Sequence, residues 1–314
     1  MNDPGPADTV PSPTGEPYRA GFVAILGLPN VGKSTLLNAL VGERLSIVTP
    51  KAQTTQRKLR GIWSDEAHQA VFIDTPGILD PRYLLQRSMR EEALSAVEDA
   101  DVVVLVVDAG FEPSVEWVEA FAPSVAPPRI LCINKCDLVS QAAPGEIETR
   151  LGDVGWTASA RVSASGGVGV EALRAAILGA LPESPPLYPV DDLSDVPVRD
   201  FVAEMIRETC LEELDQEVPY SIAVRIEEFH EREGGRPTFI EAVIFVERES
   251  QKGIVVGKGG RTIRGIGSRS REKIEAFLDH PVYLELRVKV LANWRKRAGT
   301  LRVLGFRVPA EESR

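Results

Sequence analysis

The sequence predicts an α/β domain with a mostly parallel sheet flanked by helices, followed by a smaller α+β domain. Three observations carry this prediction. Short apolar runs alternate with amphipathic stretches from residue 21 to about 181, a pattern typical of parallel sheets with helices on both faces. A stretch rich in proline and acidic residues, 182–197, then indicates a linker. Beyond it, helical and alternating segments follow one another in a different order.

Each predicted strand of the first domain is an apolar run that ends in a polar or glycine residue. The runs are GFVAILG before the first glycine-rich loop, QAVFID ending at Asp74, DVVVLVVD ending at Asp108, RILCIN ending at Asn134 and RVSAS ending at Ser165. Helices are predicted at 33–41, 82–98 and 169–180. Ligands of such sheets lie beyond the carboxyl ends of the strands, and the nucleotide-binding motifs described below fall at such ends.

The second domain should begin with a helix over about 199–214. Two alternating stretches, YSIAVRIEEF and TFIEAVIFVE, are joined by EREGGRP and predict a hairpin. A glycine loop, a helix to about 278 and a last strand in VYLELRVKVLANW follow. The resulting division is a disordered tail 1–19, a first domain 20–181, a linker 182–198, a second domain 199–297 and a C-terminal extension 298–314.

Composition narrows the function classes. The net charge is −10 over 314 residues, yet 248–297 carries about +8 by our count, so a polyanion partner is expected for that segment; a solvated charged face is the alternative. No apolar run approaches the roughly 18 residues of a membrane span, and the N-terminus lacks the basic start and apolar core of a signal peptide. The cysteines form no C-x-x-C pair, so thiols in a reducing cytosol are expected rather than a metal site.

The segment GLPNVGKS, 27–34, fits the phosphate-binding pattern G-x-x-x-x-G-K-[ST]. Gly27 and Gly32 let the backbone N–H groups face phosphate, Lys33 reaches the β- and γ-phosphates, and the Ser34 hydroxyl is a ligand for Mg²⁺. The helix that follows offers its positive N-terminus. The whole predicted loop comprises Gly27, Pro29, Asn30, Val31, Gly32, Lys33, Ser34 and Thr35.

Two later motifs extend this site. DTPG supplies Asp74 for the Mg²⁺ shell and the Gly77 N–H for the γ-phosphate, with Thr75 and Pro76 between them. NKCD supplies Asp137, whose carboxylate can accept hydrogen bonds from guanine N1–H and N2–H₂; adenine offers neither donor there. Asn134 and Lys135 are expected to brace the base and the phosphate loop. The segment Ser163, Ala164 and Ser165 would give a backbone N–H to guanine O6. The ordered set predicts a GTP site.

The glycine loop GKGG, 257–260, lacks the G-K-[ST] ending and is not a second nucleotide site. It matches G-x-x-G, the KH-domain loop that clamps a single-stranded nucleic-acid backbone. The predicted contact residues are Gly257, Lys258, Gly259, Gly260, Arg261 and Arg264. We expect Ile254, Val255, Ile263 and Ile266 to form an apolar platform for bases. A plain turn between helices is the alternative interpretation.

The motifs GLPNVGKSTLLNAL, KAQTTQRKLRGI and DTPGI, with the segment 248–295, resemble the Era family. The resemblance covers about 20–297 and implies a P-loop GTPase domain followed by an α+β type II KH domain. The segment SIVTPKAQTTQ, 46–56, matches the first switch of that family. The resemblance implies that Thr55, with Thr54 as second choice, ligates Mg²⁺ together with Ser34 and Asp74. It also implies binding to the 3′ end of 16S rRNA, action in 30S ribosome assembly, a monomer in the cytoplasm, and peripheral association with the inner face of the cell membrane.

This sequence departs from related proteins at two positions. Gln56 stands where the family usually has Arg, so contacts made by that residue are open. Ile78 follows DTPG where Ras-like proteins place a water-orienting Gln, so slow intrinsic hydrolysis is expected and no catalytic residue is identified. In related GTPases an Asn at the Asn30 position helps to bind K⁺, and the same is a hypothesis here.

Three other functions are compatible with parts of the sequence. A P-loop kinase is disfavoured by NKCD, and an RNA-binding module with a vestigial nucleotide site is disfavoured by intact Lys33, Ser34 and Asp74. A related GTPase of tRNA modification is disfavoured by the KH match and by the absence of a C-terminal cysteine nucleophile.

Overall fold

The structure, a computed structural model, divides into two compact units. It describes residues 17–49, 51, 54–78, 80–111, 113–115, 118, 127–232 and 234–309. The first unit comprises Met1–Ser46, Thr55–Leu79 and Glu92–Asp195, and the second comprises Ile47–Thr54, Asp80–Glu91 and Val196–Arg314. The units interleave along the chain, because two short segments of the first predicted domain, Ile47–Thr54 and Asp80–Glu91, group with the second.

The first unit is built on a six-stranded sheet in the order β2-β3-β1-β4-β5-β6. All neighbours in it are parallel except β2 and β3. The mostly parallel sheet flanked by helices, predicted from the sequence, is confirmed. The strands are β1 Arg19–Gly27, β2 Leu59–Ser64, β3 His68–Asp74, β4 Val102–Asp108, β5 Arg129–Asn134 and β6 Ala158–Arg161. Its helices are α1 Lys33–Val41, α3 Ala143–Leu151 and α4 Val170–Ala180. Helix α2, Leu84–Glu98, belongs to the second unit up to Glu91 and to the first from Glu92.

Burial explains the strand composition. Five successive residues of β1 from Val23, six of β4 from Val102 and five of β5 from Ile130 are buried, as expected for central strands covered on both faces. Strands β3, β4 and β5 end at Asp74, Asp108 and Asn134, as predicted. Strand β6 ends earlier than predicted, at Arg161, because the backbone turns so that the Ser163 N–H bonds the Val168 carbonyl at 2.9 Å.

The predicted linker is bound along the first unit up to residue 195. Gln69, fully buried in β3, accepts hydrogen bonds from the Leu187 and Tyr188 N–H groups at 2.7 and 2.9 Å and donates one to the Tyr188 carbonyl at 2.9 Å. The Ile62 N–H of β2 bonds the Leu193 carbonyl at 2.8 Å. Proline-rich composition correctly indicated a segment without regular structure, but its backbone bonds are satisfied by strand residues.

The second unit has the element order of a type II KH domain, which confirms that prediction. Its elements are α5 Val198–Glu213, β7 Ala223–His230, β8 Thr238–Val246, α6 Glu249–Val256, α7 Arg261–Leu278, β9 Val282–Val290 and a short α8 Ala298–Val303. Strand β8 is central, antiparallel to β7 and parallel to β9. Residues of α5, α6 and α7 cover one face of this sheet in a single apolar core.

The C-terminal extension belongs to the second unit over its described residues. Its Leu301 and Phe306 are buried, together with Trp294 of the preceding segment, against Val243 and Phe245 on the other face of the sheet. Leu84, Leu85 and Met89, from the first turns of α2, join the same cluster. The part of this outer face around Val243 and Phe245 is therefore covered.

At the N-terminus, residues 1–16 of the predicted tail lie outside the described residues. Residues 17–19 do not fit a disordered tail, because Tyr18 is buried and β1 begins at Arg19. No helix within the described part of the chain is long and apolar enough to cross a membrane.

Candidate nucleotide site and nucleic-acid groove

The phosphate loop connects β1 to α1 and depends on two glycines. Gly27 has φ 155° and Gly32 has φ 95°, backbone angles that favour glycine. A Cβ on Gly27 would lie 2.5 Å from the Val106 carbonyl oxygen, and one on Gly32 would lie 2.3 Å from Asn134 Nδ2. The loop is thus fixed between neighbouring strands, with the N-terminus of α1 at its end.

Lys33 is the buried cation of this loop. Its ammonium donates hydrogen bonds to the Gly27 and Leu28 carbonyls at 3.2 and 2.9 Å, and only 6% of the residue is exposed. Burial lowers the pKa of Lys33 to about 8, with the charge of Asp74 acting in the opposite direction. The positive charge is therefore held inside the loop where phosphate is expected.

Three hydroxyl groups converge on one oxygen of Asp74. Ser34, Ser46 and Thr55 donate to Asp74 Oδ2 at 2.7, 2.9 and 3.2 Å, and the Ser34 and Thr55 hydroxyls are 2.8 Å apart. Asp74 is fully buried, and its Oδ1 has no hydrogen-bond partner among the described residues. Burial raises the pKa of the Asp74 carboxyl against the opposing influence of Lys33. A buried carboxylate oxygen without a partner, beside hydroxyl oxygens, suits a hard divalent cation.

Thr54 and Thr55 occupy different surroundings. The Thr54 hydroxyl donates to the Lys51 carbonyl at 2.7 Å and lies 3.1 Å from the Thr49 hydroxyl, whereas the Thr55 hydroxyl reaches Asp74. The geometry favours Thr55 as the ligand. Ser46 was not predicted; only its place in the first switch segment of the resemblance pointed to it.

The DTPG segment lies against the phosphate loop. The Thr75 hydroxyl donates to the Ile25 carbonyl at 2.7 Å, and a Cβ on Gly77 would lie 2.7 Å from the Pro29 backbone. Pro76 is buried. Ile78 is only 2% exposed and packs in the core of the unit, so its side chain cannot orient water.

Asn134 connects three motifs through one amide. Its Nδ2 donates to the Val31 carbonyl at 2.8 Å, and its Oδ1 accepts from the Ala164 N–H at 3.0 Å. The predicted brace between the NKCD motif and the phosphate loop is therefore present in the structure. The segment at 163–165 is held by the same side chain.

Lys135 and Asp137 are the other polar residues of the NKCD motif. Lys135 has φ 63°, and its ammonium pairs with Asp108 Oδ2 at 2.7 Å. Asp137 is exposed in a single 3-10 turn over Cys136–Leu138, where its carboxylate is accessible to a base. Asp108 was not predicted as a site residue, although its position at the carboxyl end of β4 was a usable signal.

The remaining predicted nucleotide residues lie at the same edge of the sheet. Asn30 is exposed with φ 64°, Val31 is buried, and Thr35 is in the first turn of α1. Ser163 is buried and Ser165 is exposed. Gln56, the departure from the family pattern, is 7% exposed, so it has little surface for a ligand.

The second glycine loop lies between α6 and α7. Gly257 has φ 71°, and a Cβ there would lie 2.2 Å from the Thr262 hydroxyl. Residues Lys258–Gly260 form one 3-10 turn in which Gly259 and Gly260 also have positive φ. The Arg264 guanidinium donates to the Gly259 carbonyl at 2.7 Å. Lys258, Arg261 and Arg264 are exposed around the loop.

A surface groove of about 470 Å³ lies between α7 and the edge strand β9. It is lined by Ile263, Arg264, Gly267, Ser268, Arg271 and residues of β9 that include Tyr283 and Leu286. Of the expected apolar platform only Ile263 lines the groove. Val255 and Ile266 are fully buried in the core under the sheet. That part of the prediction is wrong, because helix periodicity turns these two side chains inward, while Ile254 is half exposed.

Family models match both regions. Residues 22–135 match a model described as 50S ribosome-binding GTPase, and residues 217–295 match a KH domain. The GTPase Era of Carboxydothermus hydrogenoformans is 42% identical over 295 residues, covering 92% of this chain and 98% of the relative. That of Geobacter sp. strain M21 is 44% identical over 295 residues, with the same shares of each chain covered.

Two solved structures resemble the chain over nearly their whole length. A point variant of Aquifex aeolicus Era bound to GDP·AlF4⁻ has a TM-score of 0.87 at 38% identity, covering 91% of this chain and 99% of the other. Era in complex with MgGDPNP and nucleotides 1506–1542 of 16S ribosomal RNA has a TM-score of 0.86 at 39% identity, covering 92% and 99%.

Proposed function

Because the chain belongs to the GTPase Era family, we propose that it hydrolyses GTP to GDP and phosphate and couples this reaction to binding the 3′ end of 16S rRNA during 30S subunit assembly. The observation that carries the proposal is the Asn134 amide, which joins the phosphate loop to the base-recognition segments. A protein that had the phosphate loop without the base-recognition segments would need no side chain to join the two.

Guanine selection is assigned to Asp137. Its exposed carboxylate would accept from guanine N1–H and N2–H₂. The Ala164 N–H, which the sequence predicts for guanine O6, donates instead to Asn134 Oδ1 at 3.0 Å, so contact with O6 would require it to be shared or released. Asn30, Lys33, Gly77 and the other predicted loop residues surround the phosphates. The related Era structures with GDP·AlF4⁻ and MgGDPNP support this assignment.

Magnesium would be held by Ser34, Thr55 and Asp74. The buried, unpartnered Asp74 Oδ1 and the adjacent hydroxyls fit a hard cation. When bound, Mg²⁺ neutralises charge on the β- and γ-phosphates. Thr55 would then report the presence of the γ-phosphate, since it lies within the first switch segment, 46–56.

Since Ile78 is buried, the attacking water must be positioned by backbone groups or by another cation. We assign K⁺ to this role with Asn30, whose side chain is exposed on the loop. Replacing K⁺ with Na⁺ at constant ionic strength should slow hydrolysis. An unchanged rate would remove K⁺ from the proposal.

RNA binding is assigned to the loop 257–260 and the groove beside it. Lys258, Arg261 and Arg264 offer charge to the backbone, and Gly259 and Gly260 leave open space above the loop. The related structure with 16S rRNA nucleotides supports this choice over a tRNA-modifying GTPase. Cytoplasmic location, a monomeric state and peripheral membrane association stay predictions; vesicle flotation and sedimentation would test the last two.

The decisive test is a substitution of Asp137 that changes which nucleotide base the site prefers. Asp137→Asn should lower GTPase activity and raise activity with xanthosine triphosphate, because the amide donates to the C2 carbonyl of xanthine. The readout is phosphate release without any acceptor substrate, which also excludes a kinase. Unaltered preference for GTP would contradict the assignment, and crosslinking of bound RNA in cells would identify the RNA partner independently.

A further inference from the structure

The outer face of the KH sheet carries a row of aromatic side chains that is exposed at its two ends and partly exposed at its centre. His230, Phe239 and Tyr283 occupy paired positions on β7, β8 and β9. Phe239 has the same parity along β8 as Val243 and Phe245, which belong to the cluster on the outer face, so the three rings share that face. We call these three residues the aromatic row.

The rings are nearly parallel and continuous across the sheet. His230 and Phe239 have centroids 6.3 Å apart at 15°, and Phe239 and Tyr283 have centroids 5.9 Å apart at 16°. The Arg232 guanidinium lies 5.2 Å from the Phe239 ring centroid. Parallel aromatic rings with an adjacent guanidinium are the groups on which unpaired nucleobases stack.

The row is continuous with the groove assigned to RNA. Tyr283 is 58% exposed and lines the groove between α7 and β9, while its ring also contacts Phe239 on the outer face. An RNA strand that leaves the groove by crossing β9, the edge of the sheet, therefore meets the aromatic row directly. The part of the same face around Val243 and Phe245 is already covered by the C-terminal segment and the start of α2.

The charges beside the row favour base faces over phosphates. Glu228, Glu241 and Glu285 form the next row across the strands. Arg287 pairs with Glu241 and Glu285 at 3.0 Å each, and Glu228 lies 3.4 Å from His230 Nε2. Paired carboxylates offer little electrostatic attraction to the phosphate backbone of RNA, whereas they do not repel the uncharged bases.

We propose that the aromatic row, with Arg232, is a second binding surface for single-stranded RNA that stacks bases beyond the four nucleotides a KH loop clamps. The inference rests on the proposed RNA-binding function of the groove. Cross-strand aromatic pairs also stabilise sheets, so the test must separate stacking on RNA from stability of the sheet.

The test uses the full chain with a non-hydrolysable GTP analogue and three kinds of RNA. One is a five-nucleotide RNA that fills the groove. The second kind is this RNA extended by four ordinary nucleotides, and the third is the same RNA extended by four abasic nucleotides. Each extension is tested at the 5′ end and at the 3′ end. In the wild type, extension with bases should bind about tenfold more tightly than abasic extension. This gain should change little with salt, because stacking releases few counterions.

Phe239→Leu should reduce that gain to less than about twofold while five-nucleotide binding is unchanged. Phe229→Leu is the matched control, since Phe229 lies on the same hairpin but packs with the core on the other face; it should retain the full gain. If Phe239→Leu fails to fold, His230→Ala replaces it. 4-Thiouridine in the extension should crosslink to Tyr283 or Phe239.

The outcomes are distinguishable. No binding of the five-nucleotide RNA by the wild type would overturn the proposed RNA function itself. Binding of that RNA with equal affinities for base and abasic extensions would overturn only the aromatic row. Crosslinks from the row to a ribosomal protein in reconstituted small subunits, without RNA crosslinks, would assign the surface to a protein partner and equally overturn the inference.

Discussion

Lys33 shows how much a single residue contributes to the nucleotide site. Its ammonium is enclosed by the loop and bonded to two backbone carbonyls, so its position is set before a ligand arrives. A preorganised cation loses little side-chain entropy on binding phosphate. Asp74 is prepared in the same way by three hydroxyls.

Lys33→Ala should weaken GTP binding by about 100-fold or more, since charge-assisted hydrogen bonds contribute about 1.5–3 kcal/mol each. The KH unit has a separate core and should unfold at an unchanged denaturant concentration. Lys58→Ala is the control, because Lys58 forms a long 3.8 Å pair with the exposed Asp99. Calorimetric titration measures the affinities, and wild-type affinity for GTP would contradict the phosphate-loop assignment.

Among the elements, the segment 183–195 is a strap on β2 and β3 rather than a free linker. Gln69 holds it through three hydrogen bonds to backbone groups. Arg60 adds an ion pair with Asp195 at 2.5 Å. The strap therefore contributes to the stability of the first unit.

Gln69→Ala should lower the free energy of unfolding by about 2–3 kcal/mol, because two backbone N–H groups and a carbonyl lose their partner. Limited proteolysis should then cut within 183–195. Gln141→Ala, at an exposed position, should leave both measurements unchanged. A strap as protease-resistant in Gln69→Ala as in the wild type would show that these hydrogen bonds do not hold it.

The glycine loop of the KH domain combines charge with unusual backbone angles. Lys258→Asp with Gly259→Asp should lower affinity for single-stranded RNA at least about tenfold and make it less dependent on salt, because fewer phosphate contacts release fewer counterions. Basal GTP hydrolysis should be unchanged. Filter binding at several salt concentrations gives both quantities.

The single variants separate the two causes. Lys258→Asp changes the charge alone, and Gly259→Ala adds only a Cβ at φ 61°. Loss of GTP binding in the double variant, or retention of full RNA binding, would mean that the loop has another role.

At the scale of the whole molecule, the boundary between the units falls between Thr54 and Thr55. Thr55 bonds Asp74 at the nucleotide site, while the Thr54 carbonyl accepts from Arg207 of α5. Lys51 donates to the Leu211 and Leu214 carbonyls at the end of the same helix. The first switch segment therefore offers a direct covalent path from the γ-phosphate site to the KH unit.

Lys51→Ala should reduce the ratio of RNA affinities measured with a GTP analogue and with GDP by about threefold to tenfold, within the usual range of coupling energies. Lys51→Arg, which retains a cation for the helix carbonyls, should preserve most of the ratio. RNA binding in each nucleotide state is the measurement. An undiminished ratio in Lys51→Ala would place the coupling elsewhere.

The sequence by itself determined the α/β and KH architectures and the strand ends at Asp74 and Asn134, because apolar periodicity and glycine-rich motifs are local properties. Only the tertiary structure decided that Ser46 and Asp108 join the site, that Val255 and Ile266 are buried, and that 183–195 is bound along β2 and β3. These facts depend on contacts between residues distant in the chain. A pattern along the sequence shows which face a residue can occupy, but not which partner covers it.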